Sequence, residues 1–211
     1  MLIKKSGQGY SIYASGYNGG GALGDGTTTA TTSPKIIKNL PENIKELKTT
    51  GGTASCYATT LDGKVYVWGY NSYGQLGVGN ATNQTSINLI SISGETIENV
   101  FANAHANTYS FVNQSFITTT SGKVYSTGAN AYGQLGNGNN TAKTSYEQIP
   151  FDTDMYGKIV DMSWNGYDSG GYYITLVTDK NRFFATGYNG RQGISLTNET
   201  VSKSVFTELI F

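Results

Sequence analysis

One loop motif recurs four times along this chain and constrains its fold more than any other feature. The copies are SIYASGYNGGGALGDG from Ser11, KVYVWGYNSYGQLGVG from Lys64, KVYSTGANAYGQLGNG from Lys123 and the weaker RFFATGYNGRQGI from Arg182. Their marker glycines, Gly16, Gly69, Gly128 and Gly187, lie 53, 59 and 59 residues apart. A period in the fifties is the size of a propeller blade of about four strands. Within one period, Ile97 to Ala102, Thr108 to Thr118, Val124 to Thr127 and Tyr146 to Phe151 read as strands, with Ser121-Gly122 as a two-residue hairpin turn like Asp62-Gly63 before it. No apolar 3.6-residue period is sustained for ten residues, so helix should be minimal. The expected fold is all-β, a β-propeller-like array of about four blades of antiparallel four-stranded sheets. It forms one repeat domain over 1–211, with repeats at about 1–43, 44–94, 95–155 and 156–211.

Composition narrows the functions available. Fourteen Lys and Arg balance fourteen Asp and Glu, and charged residues make up only 13%. Phosphate recognition needs a basic stripe, and no Lys/Arg run is longer than Lys4-Lys5. No nucleic-acid partner is therefore expected. The longest apolar runs are a few residues, far below the roughly 20 of a membrane span, so no membrane insertion is expected either. Cys56 and His105 are the sole residues of their types. That excludes an internal disulfide and any metal site built on two imidazoles or on thiolates, and the expectation is no metal and no cofactor. Cys56 reads as a small core residue.

At the repeat itself the sequence resembles the regulator of chromosome condensation repeat family, whose pattern is roughly DG-x-V-Y-x-W-G-x-N-x-x-G-Q-L-G-x-G. The second copy matches best, with Asp62, Gly63, Val65, Tyr66, Trp68, Gly69, Asn71, Gly74, Gln75, Leu76, Gly77 and Gly79 in order. The third has Thr127 where the Trp would stand, the first has Ala22 in place of the Gln, and the fourth loses register after Gly190. The resemblance implies a propeller fold. Members of the family close with seven blades, so four copies imply a segment of a longer polypeptide, a small propeller, or chains pairing through open edges. The first of these is the expectation, with the chain at the C-terminal end, and homo-oligomer formation stays open beside attachment to a longer chain. The opening repeat also lacks its first strand, since Leu2–Lys5 and Tyr10–Tyr13 read as the second and third, and Ser204–Phe211 reads as a closing fourth strand.

The motif has a physical reading of its own. Glycines permit positive φ and close approach of successive segments. The aromatic residues of VYVW, with Leu76 and Leu135, fill the space between blades. The Asn and Gln satisfy backbone groups that a Gly-rich turn leaves without partners.

No G-x-S-x-G, P-loop or H-E-x-x-H pattern occurs. The carboxylate pairs Asp152/Asp154 and Asp161/Asp168 sit beside turn-forming residues and read as solvated loop acids. No enzymatic activity is expected. Composition instead favours a receptor-binding module like the distal part of a phage tail fibre, on a virion tail or extracellular surface, binding a surface glycan or glycoprotein. Neutral polar ligands are held by aromatic platforms and hydrogen bonds more than by charge. The alternative, implied by the resemblance, is an intracellular protein-interaction propeller related to GTPase exchange factors, located in the cytoplasm. Ligand-binding candidates are Trp164, Tyr167 and Asp168 in the loop 162–171, His105 and Asn107 in its counterpart, Tyr73 and Tyr132 just before the GQLG turns, and Arg191 where the fourth motif breaks.

Overall fold

A computed structural model describes residues 2–6, 9–51, 54–103, 113–167, 171–189 and 201–210. It contains fifteen strands among those residues, arranged in four antiparallel sheets in chain order. The first sheet has three strands, β1 (Leu2–Ser6), β2 (Gly9–Gly16) and β3 (Thr31–Ile36), and each of the others has four. The second comprises β4 (Ile44–Thr49), β5 (Ser55–Thr60), β6 (Val65–Gly69) and β7 (Gln84–Ile90). The third comprises β8 (Ile97–Asn103), β9 (Gln114–Thr119), β10 (Val124–Gly128) and β11 (Lys143–Gln148). The fourth comprises β12 (Ile159–Tyr167), β13 (Gly171–Thr178), β14 (Phe183–Gly187) and β15 (Lys203–Glu208). Helix among the described residues is a single turn, α1 (Thr153–Tyr156), whose N-terminus is capped by the Asp152 carboxylate accepting from Met155 N at 2.9 Å.

The two middle strands of the second and third sheets, β5, β6, β9 and β10, are almost wholly buried, and the outer strands are half exposed. Alternation explains the core: one face of each sheet packs on the sheet before and the other on the sheet after. Three apolar clusters result, one per junction. Ile12, Ala14, Leu23 and Ile37 meet Cys56, Ala58 and Trp68. Tyr57, Val67, Leu76 and Ile90 meet Val100, Ile117 and Tyr125. Phe116, Val124, Ile149 and Phe151 meet Met162, Ile174, Leu176 and Phe184.

Two local readings of the sequence change. The hairpin at Asp62-Gly63 is a three-residue turn: Thr60 and Lys64 face each other through Thr60 N–H to Lys64 O at 3.0 Å, and Gly63 has φ +74°. This is a type I turn followed by a left-handed residue. The fourth sheet repeats it with Asn181 at φ 55° in the glycine's place, a conformation asparagine tolerates. The last strand of the third sheet runs Lys143–Gln148 rather than Tyr146–Phe151, and that of the fourth runs Lys203–Glu208 rather than reaching Phe211. Strands half exposed on both faces carry a weak apolar alternation, so their ends are set by pairing with β10 and β14.

Candidate functional site

The connections sort the polar residues onto two ends of the array. Because the strands are antiparallel, the long Gly-rich segments (17–30, 70–83 and 129–142) emerge at one end, together with the first-to-second strand connections. The short hairpins and the sheet-to-sheet connections lie at the other.

At the first end the Gly-rich segments are held by their own amides. Asn71 Oδ1 accepts from Leu76 N at 2.9 Å, while its Nδ2 donates to the carbonyls of Asn80 (2.9 Å) and Thr82 (3.1 Å). Asn130 makes the same bonds to Leu135 N, Asn139 O and Thr141 O, and Asn18 to Leu23 N, Thr27 O and Thr29 O. Gln75 and Gln134 accept from the backbone of Tyr73 and Tyr132. The amides of the motif thus do what the sequence suggests, and Leu76 and Leu135 are fully buried beneath them. These residues build the platform.

The first three Gly-rich segments are poor in charge. Segments 70–83 and 129–142 contain no Lys, Arg, Asp or Glu, and 17–30 contains only Asp25. Asp25 is bound by the Thr27 hydroxyl at 2.7 Å, and this hydrogen bond holds its carboxyl below the usual range. Tyrosines stand on the platform. Tyr17 is 71% exposed, while Tyr70, Tyr73, Tyr132, Tyr172 and Tyr188 are half-buried. Tyr70 and Tyr73 meet edge to face with centroids 6.2 Å apart. Tyr132 stacks on Tyr172 of the following sheet at 5.6 Å and meets Tyr188 edge-on at 5.1 Å. Such rings are rigid, amphipathic and already ordered.

The opposite end carries the ions. Lys64 pairs with Asp62 at 2.8 Å, Lys123 with Glu95, and Arg182 with Glu208, while Lys180 Nζ caps the carbonyl of Asp154 at 2.6 Å. The Lys123 hydrogen bond holds the Glu95 carboxyl down, and Arg182 does so for Glu208. Charge continues along the first strands of the sheets, which lie side by side. Lys45 and Lys48 reach from β4 to the carbonyls of Glu98 and Val100 on β8, at 3.2 and 2.6 Å, and Lys158 reaches Glu98 at 3.4 Å. A cavity of about 500 Å³ beside them is lined by Glu46, Lys48, Glu98, Phe101, Lys158 and Asp161.

The candidates taken from the sequence are scattered in this frame. Trp164 lies on β12 with its ring 6.3 Å from Phe116 in the junction between the third and fourth sheets, its indole N–H buried with no hydrogen-bond partner among the described residues. Tyr167 ends β12. Tyr73 and Tyr132 are on the end that bears the Gly-rich segments, and one face of Tyr132 is covered by Tyr172. His105, Asn107, Asp168 and Arg191 lie outside the described residues, as does any pairing of Asp161 with Asp168. Asp161 Oδ1 accepts from Met162 N at 2.8 Å. Cys56 is buried, and burial pushes its thiol up to about 12. Tyr17, Tyr70 and Tyr188 were missed, although a tyrosine directly after the marker glycine in three copies is a visible signal. Among the described residues no group of three His, Cys, Asp or Glu could hold a metal ion, and no helix is long and apolar enough to cross a membrane.

Comparison with known proteins agrees with the fold. The family model described as "Regulator of chromosome condensation (RCC1) repeat" matches residues 62–91 and 121–164. The ultraviolet-B receptor UVR8 of Arabidopsis thaliana is 28% identical over 85% of this chain and 50% of its own length. A protein RCC2 homolog of Danio rerio is 33% identical over 68% of this chain and 28% of its own length. The solved structure of Prp20p from Saccharomyces cerevisiae, whose description names binding to Gsp1p and histones, superposes with TM-score 0.70 and 16% identity on all of this chain and 50% of its own. The chain therefore spans about half or less of these relatives. The expectation of a phage receptor-binding module with a surface glycan as partner is overturned, because the relatives are proteins of plant, fish and yeast and the partners named for Prp20p are proteins. Two of the rings expected to hold a sugar are moreover covered, Trp164 by Phe116 and one face of Tyr132 by Tyr172.

Proposed function

We propose that this chain, which belongs to the regulator of chromosome condensation repeat family, is a non-catalytic protein-interaction propeller segment working inside a cell, and that its protein partner docks on the tyrosine-bearing end, at the three charge-poor Gly-rich segments 17–30, 70–83 and 129–142. The observation that carries this reading is the scarcity of charge in those three segments, where Asp25 is the one residue of the Asp, Glu, Lys and Arg types. Protein interfaces are depleted of charged residues at their centre and enriched in tyrosine, and the end bearing Tyr17, Tyr70, Tyr73, Tyr132 and Tyr188 has that composition over three adjacent Gly-rich segments. Half-buried rings need little further ordering, which lowers the entropic opposition to association. The charged end is internally paired, and its ions pay for desolvation poorly at an interface. Prp20p supplies the probes, since Gsp1p and histones are the partners its description names.

The test is binding of Gsp1p and of histones to the immobilised chain, followed by the same measurement on Tyr17→Ser, Tyr70→Ser and Tyr73→Ser variants. Loss of affinity by tenfold or more in these variants, with Lys64→Ser and Lys180→Ser unaffected, supports the reading. Binding that responds to the lysines and ignores the tyrosines moves the interface to the other end.

A further inference from the structure

The chain has four Asn-Gly pairs, at Asn18, Asn137, Asn165 and Asn189. A glycine after asparagine leaves the next backbone nitrogen unshielded by a Cβ, so that this nitrogen can attack the side-chain amide. Asn137 is set up for that reaction. Its Oδ1 accepts from Asn130 Nδ2 at 3.1 Å and from Asn139 N at 3.3 Å, two donors aimed at the oxygen that takes up negative charge when the amide carbon is attacked. Its Nδ2, the group that must leave, is buried with no hydrogen-bond partner among the described residues. Departure of that group breaks no hydrogen bond and removes an unsatisfied donor. Gly138 is exposed, and a Cβ built on it would meet nothing within 4 Å, so water reaches the peptide.

The first copy of the motif shows the product already in place. Leu23-Gly24-Asp25-Gly26 corresponds to Leu135-Gly136-Asn137-Gly138. Asp25 Oδ1 accepts from Asn18 Nδ2 at 3.4 Å and from Thr27 N at 3.0 Å, the counterparts of Asn130 and Asn139. Gly26 N and Gly138 N both donate to the following sheet, to Thr85 O at 2.9 Å and Ser204 O at 2.8 Å. A carboxylate at this position is therefore compatible with the turn and with the junction. Asn18 is the opposite case: it has no solvent exposure, and its Nδ2 donates to Thr27 O at 3.0 Å and Thr29 O at 3.2 Å, so loss of ammonia there would break both bonds.

We propose that Asn137 is a deamidation site of the folded chain and that Asn18 is protected. The bond from Gly138 N to Ser204 O opens, Gly138 N gives its proton to base and bonds to Cγ of Asn137, and the Cγ–Nδ2 bond breaks. Ammonia leaves with a proton returned by the base, and one water then opens the five-membered succinimide. Opening at Cγ yields aspartate, the Asp25 arrangement, and places the first carboxylate in segment 129–142. Opening at the backbone carbonyl yields isoaspartate, whose chain runs through Cβ and carries Gly138 N away from Ser204 O. The proposal is independent of the partner bound on the tyrosine end.

The test is incubation of the chain in mildly alkaline buffer, followed by peptide mapping with tandem mass spectrometry and enzymatic assay of isoaspartate. The same incubation in urea gives each site its unfolded rate. The folded-to-unfolded rate ratio should be at least tenfold higher at Asn137 than at Asn18. Asn137→Gln, whose longer side chain cannot close the five-membered ring, should abolish the amide-to-acid mass gain in its peptide. Fragment masses of the parent chain locate the gain even if that variant folds poorly. Equal ratios at the two sites, or an Asn137 that converts in urea and stays an amide in the folded chain, overturns the proposal. A gain that persists in Asn137→Gln assigns the reaction to Asn139 or Asn140 and overturns it as well.

Discussion

The Thr127 hydroxyl oxygen lies 2.9 Å from the carbonyl of Gly74, one sheet earlier in the chain, and 2.8 Å from the carbonyl of Lys143 in its own sheet. One proton is shared between two carbonyls that would otherwise face a wholly buried side chain. Thr186 repeats the arrangement with Gly133 and Lys203 at 2.8 Å each, whereas at the first junction Trp68 Nε1 donates to Ala22 O at 2.9 Å. Threonine and tryptophan thus satisfy the same requirement, a donor aimed at the preceding turn, which is why Thr127 in the Trp position leaves the motif intact.

Thr127→Val keeps the shape and removes the donor. The Gly74 carbonyl still accepts from Gly77 N–H at 3.0 Å, so the variant loses a hydrogen bond without orphaning that group and should be destabilised by about 0.5–1.5 kcal/mol, read as a lower urea midpoint with unchanged slope. Thr127→Ser should recover most of the loss, and a valine variant of native stability would show that the junction does not depend on this bond.

Asn130 closes its segment with one acceptor and two donors. Asn130→Asp retains the acceptor for Leu135 N but turns the donating group into a carboxylate oxygen facing the carbonyls of Asn139 and Thr141. Repulsion and burial of charge should make this variant less stable than Asn130→Ala. Parallel thermal melts rank the two, and the opposite order would mean that bonding to Leu135 N dominates.

Leu135 has no solvent exposure and lies under the amide-held turn. Leu135→Ala should cost roughly 2–5 kcal/mol as a core truncation, and Leu135→Met less than about 1.5 kcal/mol. Chemical denaturation of both variants checks the difference between an emptied and a refilled site.

Much of this fold was legible because its glycines fall at fixed spacing and each does a backbone task that few other residues can do. The strands between them followed from the turns. The ends of β11 and β15 did not, since Tyr146 in the one and the adjacent Val205 and Phe206 in the other give no apolar alternation. The site was harder to read. Tyr132 and Tyr172 stack across a sequence gap of one sheet, and only the register of neighbouring sheets brings them together. The segregation of charge was present as the uncharged stretches 70–83 and 129–142, but it becomes a surface only when the strand order places both at one end. Trp164 misled because its neighbours in sequence resemble a loop, while pairing with Ile174 on β13 makes it part of a strand.

Cys56 reports on the integrity of the first junction. Its side chain is buried beside Ala22, and desolvation raises the thiol from 9.0 to about 12. Raising the folded value above the unfolded one means that the neutral thiol contributes stability fully below pH 9.0, and that this is lost progressively as pH rises toward about 12. At neutral pH the native chain should be nearly inert to a thiol-specific disulfide reagent and react stoichiometrically in urea. Cys56→Ala should flatten the alkaline fall in stability between those two values. Rapid labelling of the native chain at pH 7 would show that the first and second sheets separate on the timescale of the reagent, and an unchanged alkaline limb in the alanine variant would assign that fall to other groups.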